Sequence, residues 1–196
     1  MPAKPVLSEN DKKSIRNRLE SLCEQCWIEQ GYKKTSIKSL CDKAGISIGT
    51  FYALYPTKED LFLATIAGIQ ERLGQEILAV NRQAKSKVGF ANSLKKLFRE
   101  YDSKPFLYDT STADFQAFAG KLPAEALQKL KFANFDLFRQ SMQAAQLRLK
   151  LNEANAYGIL SALLSTISSK KTLAESCDDL SVFDFIKILT WQNIDK

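Results

Sequence analysis

The sequence predicts an all-α protein of about nine helices. Only 8 glycines and 5 prolines occur in 196 residues, and the alternating Val, Ile and Thr runs that are typical of β-strands are missing. Apolar residues instead recur at intervals of three and four, which is the period of a helix face. Both observations favour helices along the whole chain.

The first helix is predicted over about residues 9 to 30. Ser8 precedes it and has a side chain that can cap its N-terminus. Leu19 and Trp27 are among the apolar residues on one face, and Gly31 is the residue type that most often ends a helix. We therefore expect a helix of about 22 residues before the first break.

Two short helices follow, and a tight turn separates them. Thr35 or Ser36 can cap the first short helix, which is predicted to end at Gly45. Ser47 can cap the second, which stops before Pro56. Short helices joined by a glycine-containing turn are typical of the helix-turn-helix motif, whose second helix enters the major groove of DNA.

A longer helix is predicted to begin at Lys58, after a cap at Thr57, and the composition of the chain shifts beyond about residue 83. Glu59 and Asp60 lie in its first turn, where the helix dipole favours negative charge. The rest of the chain is predicted to be helical, with turn signals at residues 104–105, 120–123, 151–152 and 171–179.

The second short helix is predicted to have one face in the core and another that is free. Ile46, Phe51 and Tyr55 have the spacing of inward-facing residues. Gly49 and Ala53 lie four residues apart, so they share the outer face, where small side chains let the backbone approach another surface. The residues expected to face outward or to the flank are Ser47, Ile48, Gly49, Thr50, Tyr52, Ala53 and Leu54.

The stretch "GYKKTSIKSLCDKAGISIGTFYALYPTKEDLF" resembles the TetR family of bacterial transcriptional regulators. The resemblance covers about 50 residues, from Ile15 to Phe62. The matching positions are Gly31-Tyr32, Thr35-Ser36-Ile37, Ala44-Gly45-Ile46-Ser47, Gly49-Thr50-Phe51-Tyr52, Tyr55-Pro56 and Lys58-Glu59-Asp60-Leu61. It implies a three-helix helix-turn-helix DNA-binding domain over residues 1–56, and a helical bundle for ligand binding and dimerisation over residues 57–196.

The resemblance also implies roles for single residues. Thr50 and Tyr52 match residues that contact phosphates or base edges, and Lys58 matches a lysine that holds the DNA backbone. Ser36 matches a hydroxyl that lies against a phosphate, and Lys38 stands at a position that contacts bases or phosphates. Together with the outward-facing residues, the predicted DNA-binding set is Ser36, Lys38, Ser47, Ile48, Gly49, Thr50, Tyr52, Ala53, Leu54 and Lys58.

Two positions depart from the family's pattern. Ile48 stands where a basic or polar residue is frequent, and Leu54 stands where a histidine or an aromatic residue is frequent. The second short helix therefore lacks Arg, Lys, Asn and Gln, the side chains that make bidentate contacts to bases. We expect the protein to recognise the DNA sequence through its hydroxyl groups, through contacts of Ile48, Ala53 or Leu54 with thymine methyl groups, and through DNA shape.

The middle of the chain is rich in phenylalanine, with eight of the twelve between residues 90 and 138. Core packing accounts for most of them, but so aromatic a bundle can also line an apolar cavity. The resemblance implies an effector pocket between the middle helices, and we expect an apolar or aromatic small molecule. The candidate ligand-binding residues are Phe98, Phe115, Phe118, Phe135 and Met142.

The last two predicted helices have the composition of an interface. The segment "AYGILSALLSTISS" interleaves small residues with Leu and Ile, and "VFDFIKILTWQNI" is apolar on most of its faces. A symmetric dimer buries such apolar surface between facing helices. The resemblance implies the same arrangement, a homodimer with a four-helix interface.

The composition argues against catalysis, metals and bound cofactors. The chain has no histidine, which removes the commonest general base and metal ligand, and no glycine-rich phosphate loop or nucleophile motif occurs. We expect no enzymatic activity, no cofactor and no metal site. The N-terminal segment lacks an apolar signal core, and no apolar run reaches the roughly 20 residues that span a bilayer, so we expect a cytoplasmic protein without membrane association.

Two cysteines form a CxxC pair, Cys23 and Cys26, in the middle of the first helix. Both fall on the apolar stripe of that helix, so core packing is the main interpretation. Thiol sensing is the alternative, with Cys41 as a possible partner.

These features predict a homodimeric repressor that binds a palindromic double-stranded DNA operator and is released by a small effector. The effector is expected to act through the helix that begins at Lys58 and to change the separation of the two recognition helices. A thiol-sensing regulator and a transcriptional activator are the alternatives. An enzyme or a scaffold on this fold would not bind DNA selectively.

Overall fold

The computed structural model describes residues 7–104, 111–165 and 194–195 of the chain, and over these ranges the protein is all-α as predicted. No described helix is long and apolar enough to cross a lipid bilayer. The described helices are α1 (Glu9–Lys34), α2 (Ile37–Ala44), α3 (Ile48–Leu54), α4 (Lys58–Ala84), α5 (Lys87–Ser103), α6 (Ala113–Ala119), α7 (Ala124–Ala144) and α8 (Glu153–Ser165). Two short antiparallel strands, β1 (Arg148–Leu149) and β2 (Ile194–Asp195), pair with each other.

The described residues form two compact units. Unit 1 contains the residues up to Ile69 together with the segment 111–122, which includes α6. Unit 2 contains the remaining described residues, from Gln70 to 104 and from Pro123 onward. Helix α4 contributes its first part to unit 1 and its remainder to unit 2. The boundary after residue 56 stays a prediction.

The ends of α1 follow from local sequence signals. Ser8 caps the helix, because its hydroxyl accepts a hydrogen bond from the Asp11 N–H at 3.1 Å and the Asp11 carboxylate accepts one from the Ser8 N–H at 3.1 Å. Gly31 interrupts the helix with φ of 83°. This value is in the left-handed region that favours glycine. The break at Gly31 is confirmed, although one further turn continues to Lys34.

The helix-turn-helix is built from matched caps. Ser36 caps α2 and Ser47 caps α3, each accepting a hydrogen bond from the N–H three residues later at 3.1 Å. Gly45 ends α2 with φ of 66°, and the next N–H, that of Ile46, reaches back to the Cys41 carbonyl at 3.1 Å. Thr57 forms a reciprocal capping box with Asp60 at the start of α4, as the sequence predicts for Thr57.

The core of unit 1 is aromatic. Trp27 and Phe62 have ring centroids 4.5 Å apart, and Phe118 of α6 lies 5.2 Å from Trp27. Tyr32 contacts Phe62 edge-to-face at 5.1 Å. Because aromatic rings bury a large apolar area each, this cluster holds α1, α4 and α6 together within the unit.

One helix of unit 2, α7, ends earlier than the sequence predicts. Helix α7 ends at Ala144, although the sequence predicts one helix to about residue 150. Gln146 adopts φ of 56° and Leu147 donates to the Met142 carbonyl at 3.1 Å, which terminates the helix without a glycine. Leu147 and Met142 then pack in one buried cluster with Phe138. The last predicted helix lies outside the described residues, apart from its end at Ile194 in β2.

Candidate nucleic-acid interface and ligand cavity

Helix α3 presents an exposed, uncharged face. Ile48 is 48% exposed and Tyr52 is 52% exposed, and Gly49 and Ala53 are exposed beside them. We call these four residues the reading face. Leu54 is only 7% exposed, so the prediction that Leu54 faces outward is wrong.

The reason for the burial of Leu54 is its position on the helix. It lies three residues after Phe51, which is fully buried, and residues three apart share a helix face. The inward positions of Phe51 and Tyr55 are confirmed, whereas Ile46 is half-buried. The Tyr55 hydroxyl donates to the Glu20 carboxylate at 2.6 Å and so ties the end of α3 to α1.

The predicted hydroxyl contacts lie at helix N-termini. The Ser47 and Thr50 hydroxyls are hydrogen-bonded to each other at 2.9 Å, while the Ser47 oxygen also accepts from the Thr50 N–H. That pair uses one of its two hydroxyl hydrogens, so the other is available to an external acceptor. The exposed Ser36 hydroxyl accepts from the Ser39 N–H, which likewise leaves its hydrogen for a phosphate oxygen.

The residues that flank α3 in the sequence carry a net positive charge. Residues 33–58 contain five lysines and one aspartate, a net charge of +4. Lys33, Lys34, Lys38 and Lys43 are all exposed. Since phosphate contacts supply much of the affinity in protein–DNA complexes, these lysines are candidates for contacts with a DNA backbone.

Lys58 has partners within unit 1. Its ammonium donates to the Tyr32 carbonyl at 2.6 Å and lies 4.0 Å from the centre of the Tyr32 ring. Burial lowers the pKa of Lys58, although Glu59 acts in the opposite direction. An ammonium group has three donors, so a phosphate contact by Lys58 stays a prediction beside this structural role.

A polar cluster surrounds the Tyr32 side chain. The Tyr32 hydroxyl donates to the Glu59 carboxylate, and Lys121 lies 3.5 Å from the same carboxylate. Burial tends to raise the pKa of Glu59, but the hydrogen bond from Tyr32 and the charge of Lys121 outweigh it, so that pKa is lowered. Burial and the contact with Glu59 raise the pKa of Tyr32. Periodicity in the sequence does not reveal this cluster, because its members are far apart in the chain.

One carboxylate of α6 accepts hydrogen bonds from the end of α1. Asp114 accepts hydrogen bonds from the backbone N–H groups of Tyr32 at 2.7 Å and Lys33 at 3.0 Å. Phe118, four residues later, is fully buried in the aromatic core, and Phe115 contacts it at 6.0 Å between ring centroids. These two predicted ligand-binding residues therefore lie in unit 1, with Phe118 in its core and Phe115 half-buried beside it.

Unit 2 contains a cavity of about 270 Å³. It lies among α4, α5, α7 and α8 and is mostly apolar. None of the described residues that line it carries a charge. The lining residues are Ile77, Phe90, Ser93, Leu94, Leu97, Tyr101, Asn134, Leu137, Phe138, Ser141, Tyr157, Leu160, Ser161 and Leu164.

The three other predicted ligand-binding residues are in unit 2 but do not line this cavity. Phe98 and Met142 are buried, at 8% and 5% exposure. Phe135 is half-buried and contacts the Tyr157 ring at 5.1 Å. Phe90 and Phe138 line the cavity instead.

Neutral polar groups interrupt the apolar lining. Ser93 and Ser141 are 1% and 4% exposed, and the Ser93 hydroxyl donates to the Phe90 carbonyl at 2.8 Å. Burial raises the pKa of Tyr101 to about 12, so this phenol is neutral at ordinary pH. The sequence signal for these residues was a serine on the otherwise apolar stripe of a helix, at positions 93 and 141, which a search for aromatic residues alone overlooks.

The cysteines of unit 1 are part of its core. Cys23 and Cys26 have no exposed surface, and Cys41 is 1% exposed. Burial raises the pKa of Cys23 to about 12, which disfavours the reactive thiolate. These properties agree with core packing and count against thiol sensing. Among the described residues, no group of three Cys, Asp or Glu side chains is arranged to hold a metal ion.

Helix α8 presents a second exposed face. Ile159 is 46% exposed, and Gly158 and Ala162 are exposed near it. A Cβ atom added to Gly158 would meet nothing within 4 Å. This face belongs to the first of the two predicted dimer helices, and the second, over residues 182–194, lies outside the described residues except for its last residue.

The family model for bacterial regulatory proteins of the tetR family matches residues 23–65. This range spans the C-terminal part of α1, all of α2 and α3, and the first residues of α4. No curated protein sequence matches the chain at a significant level. The resemblance stated from the sequence is confirmed for this N-terminal segment.

Solved structures of TetR regulators are similar in fold to this chain over most of its length. A TetR family transcription regulator from Marinobacter aquaeolei VT8 is 17% identical, with a TM-score of 0.62 and coverage of 96% of this chain and 100% of its own. A TetR-family regulator from Mesorhizobium loti is 13% identical, with a TM-score of 0.63 and coverage of 92% and 95%. The transcriptional regulator FadR from Bacillus subtilis, solved in complex with stearoyl-CoA, is 16% identical, with a TM-score of 0.55 and coverage of 89% and 96%.

Proposed function

Because the chain carries the N-terminal domain and the fold of TetR-family transcriptional regulators, we propose that it is a cytoplasmic, homodimeric repressor of transcription. Its α3 helices would enter successive major grooves of a palindromic operator, about 34–36 Å or a multiple of that distance apart. The observation that carries this proposal is the exposed reading face of α3, bordered in the sequence by exposed lysines.

The proposed division of labour follows the predicted domains. Residues 1–56 would bind DNA, with contacts from the predicted set apart from the buried Leu54. Residues 57–196 would bind the effector and form the dimer. The exposed face of α8, with Gly158 and Ile159, has the close-packing surface that a partner helix requires.

The effector is proposed to be a small, uncharged and mainly apolar molecule. The cavity of about 270 Å³ is just below the range of roughly 300–1,000 Å³ that is typical of ligand pockets. A charged group placed there would lose its hydration without gaining a counter-charge from the described lining residues, at a large cost in free energy. Ser93, Ser141 and Asn134 offer hydrogen bonds to a neutral polar group instead.

Effector and operator would then be linked. If the effector weakens operator binding by some factor, the operator weakens effector binding by the same factor, since both act on one equilibrium between two states. A ligand that saturates the cavity and leaves operator affinity unchanged contradicts this part of the proposal.

The DNA-binding proposal is tested by selecting duplexes from a random pool with the full-length protein. We expect a palindromic site whose affinity falls steeply with salt concentration. Lys38→Ala should weaken binding to all duplexes alike and lower the slope of log affinity against log salt by about 0.9 for each phosphate that the variant no longer neutralises. Lys129→Ala, an exposed lysine of α7, removes the same charge and should change neither quantity. Failure to select any site contradicts the proposal.

The effector proposal is tested with a matched pair of ligands, 1-decanol and decanoate at pH 8. The two share one hydrocarbon chain and differ in the charge of the head group. We expect decanol to raise the thermal unfolding temperature and decanoate to leave it nearly unchanged. Equal stabilisation by both ligands would show that the cavity tolerates an anion.

A further inference from the structure

The reading face of α3 has an unusual chemistry for a surface that contacts DNA. It consists of Ile48, Gly49, Tyr52 and Ala53, and none of these is an Arg, Lys, Asn or Gln. Those four residue types make the bidentate hydrogen bonds that identify guanine and adenine. If α3 reads bases, apolar contact must carry much of the readout.

Ile48 is the residue best placed for such a contact. It is the first residue of α3, and recognition helices contact base edges with their N-terminal residues. Its side chain is 48% exposed although it is a large apolar group. The apolar group that the base edges present in the major groove is the C5 methyl of thymine.

We propose that Ile48 packs against a thymine methyl group in each half-site and makes that position of the operator specific for thymine. This inference rests on the proposed DNA-binding function and names the base that the site recognises. It assigns Ile48, one of the two residues that depart from the family's pattern, as a determinant of specificity.

Gly49 supports a close approach of α3 to the DNA. Its φ is not in the left-handed region, and a Cβ atom added to it would meet only the Ser47 hydroxyl oxygen at 3.7 Å, an ordinary contact. Glycine is less favourable than alanine inside a helix, and nothing in the described part of the fold requires it here. The missing side chain leaves room for another surface directly beside Ile48.

The charges around α3 determine how large the methyl effect should be. Phosphate contacts by the lysines within residues 33–58 would supply most of the affinity for any sequence. The methyl contact then contributes only to the choice of base. Removing one methyl group from such a contact should weaken binding about three- to fivefold.

The experiment replaces each thymine of a selected operator duplex, one at a time, with deoxyuridine. Deoxyuridine lacks the C5 methyl and keeps the base pair and the O4 acceptor. We expect one thymine in each half-site at which the replacement weakens binding of the full-length protein about three- to fivefold. A C·G pair at that position should also weaken binding, and 5-methylcytosine should restore part of the affinity, because it returns the methyl group to the groove.

The variants identify the residue that reads the methyl group. The Ile48→Ala variant should bind duplexes with thymine and duplexes with deoxyuridine at that position equally well. Ile28→Ala is the matched control, because Ile28 lies on α1 and is 50% exposed, and this variant should keep the full sensitivity.

Three results overturn the inference. If the protein selects an operator but no deoxyuridine replacement weakens binding, thymine methyl readout is wrong while DNA binding stands. If Ile48→Ala keeps the sensitivity, another residue reads the methyl group. If no duplex is selected, the proposed function fails together with the inference.

Discussion

The two compact units differ in their polar contacts and in how closely their cores are packed. In unit 1, hydrogen bonds between distant residues hold the helices, such as Asp114 with the Tyr32 and Lys33 backbone and Tyr55 with Glu20. Its core packs aromatic rings directly against one another. Unit 2 instead keeps a cavity of about 270 Å³, with neutral serines among its lining residues.

This difference matches two kinds of task. A surface that reads DNA must hold its side chains within fractions of an ångström, and fixed hydrogen bonds and close packing provide that rigidity. A ligand site must leave volume unfilled in the absence of the ligand, which costs free energy of packing. Under the proposed function, the hydrogen bond from Tyr55 to Glu20 would hold the end of α3 in place, and the cavity of unit 2 would leave room for the effector.

The largest expected effect comes from breaking the Asp114 contact in unit 1. Asp114→Ala leaves the partly buried Tyr32 N–H and the exposed Lys33 N–H without their acceptor and should lower the free energy of unfolding by about 1–3 kcal/mol, mainly through Tyr32. The measurement is urea unfolding followed by the fluorescence of Trp27, in a Trp191→Phe background so that only unit 1 reports.

A double-mutant cycle with Gly31 sharpens this test. A Cβ atom on Gly31 would lie 2.9 Å from an Asp114 carboxylate oxygen, and the φ of Gly31 is +83°. Gly31→Ala should therefore cost less in the Asp114→Ala background, where only the backbone strain remains. Simple addition of the two effects would contradict the direct contact between these residues.

The second prediction fills the cavity of unit 2. Ser161→Leu places a larger apolar side chain at the lining and should change the free energy of unfolding by less than about 1 kcal/mol, because burial of the new side chain offsets the removal of the hydroxyl. Stabilisation by decanol should disappear, as measured by thermal unfolding. Gln143→Leu, on the exposed face of α7, should keep it. Undiminished decanol binding by Ser161→Leu would place the ligand elsewhere.

The same contrast explains what the sequence could predict. Caps at Ser8, Ser36 and Ser47 and the stop at Gly45 are local signals, and the helices of unit 1 follow from them. The end of α7 was missed because Gln146 adopts the left-handed conformation that is readily predicted only where a glycine such as Gly45 stands.

The sequence predicted the exposed residues of α3 better than it predicted the lining of the cavity. The outward residues of α3 follow from helical periodicity, with Leu54 as the exception. The cavity lining depends on which helices of unit 2 meet, and periodicity alone does not reveal this. Phe115 and Phe118 were predicted to bind the ligand, but they lie in unit 1, whereas the cavity is in unit 2. No local signal in the sequence indicates that α6 packs with α1.

The smallest expected effects come from the exposed glycines of α3 and α8. A Cβ atom on Gly49 or Gly158 meets no close neighbour, so Gly49→Ala and Gly158→Ala should each stabilise the protein by up to about 1 kcal/mol. Gly89→Ala is the control that should destabilise it, because the added atom would lie 2.2 Å from the Ala84 Cβ.

The functional outcomes of the two glycine variants should differ. Gly49→Ala should weaken DNA binding without changing the dimer, because the added methyl group keeps α3 from approaching the groove. Gly158→Ala should weaken the dimer in sedimentation equilibrium and affect DNA binding only at protein concentrations where dimers dissociate. If both variants gain stability and lose neither interaction, the glycines are not kept for close approach, and the exposed faces of α3 and α8 need another explanation.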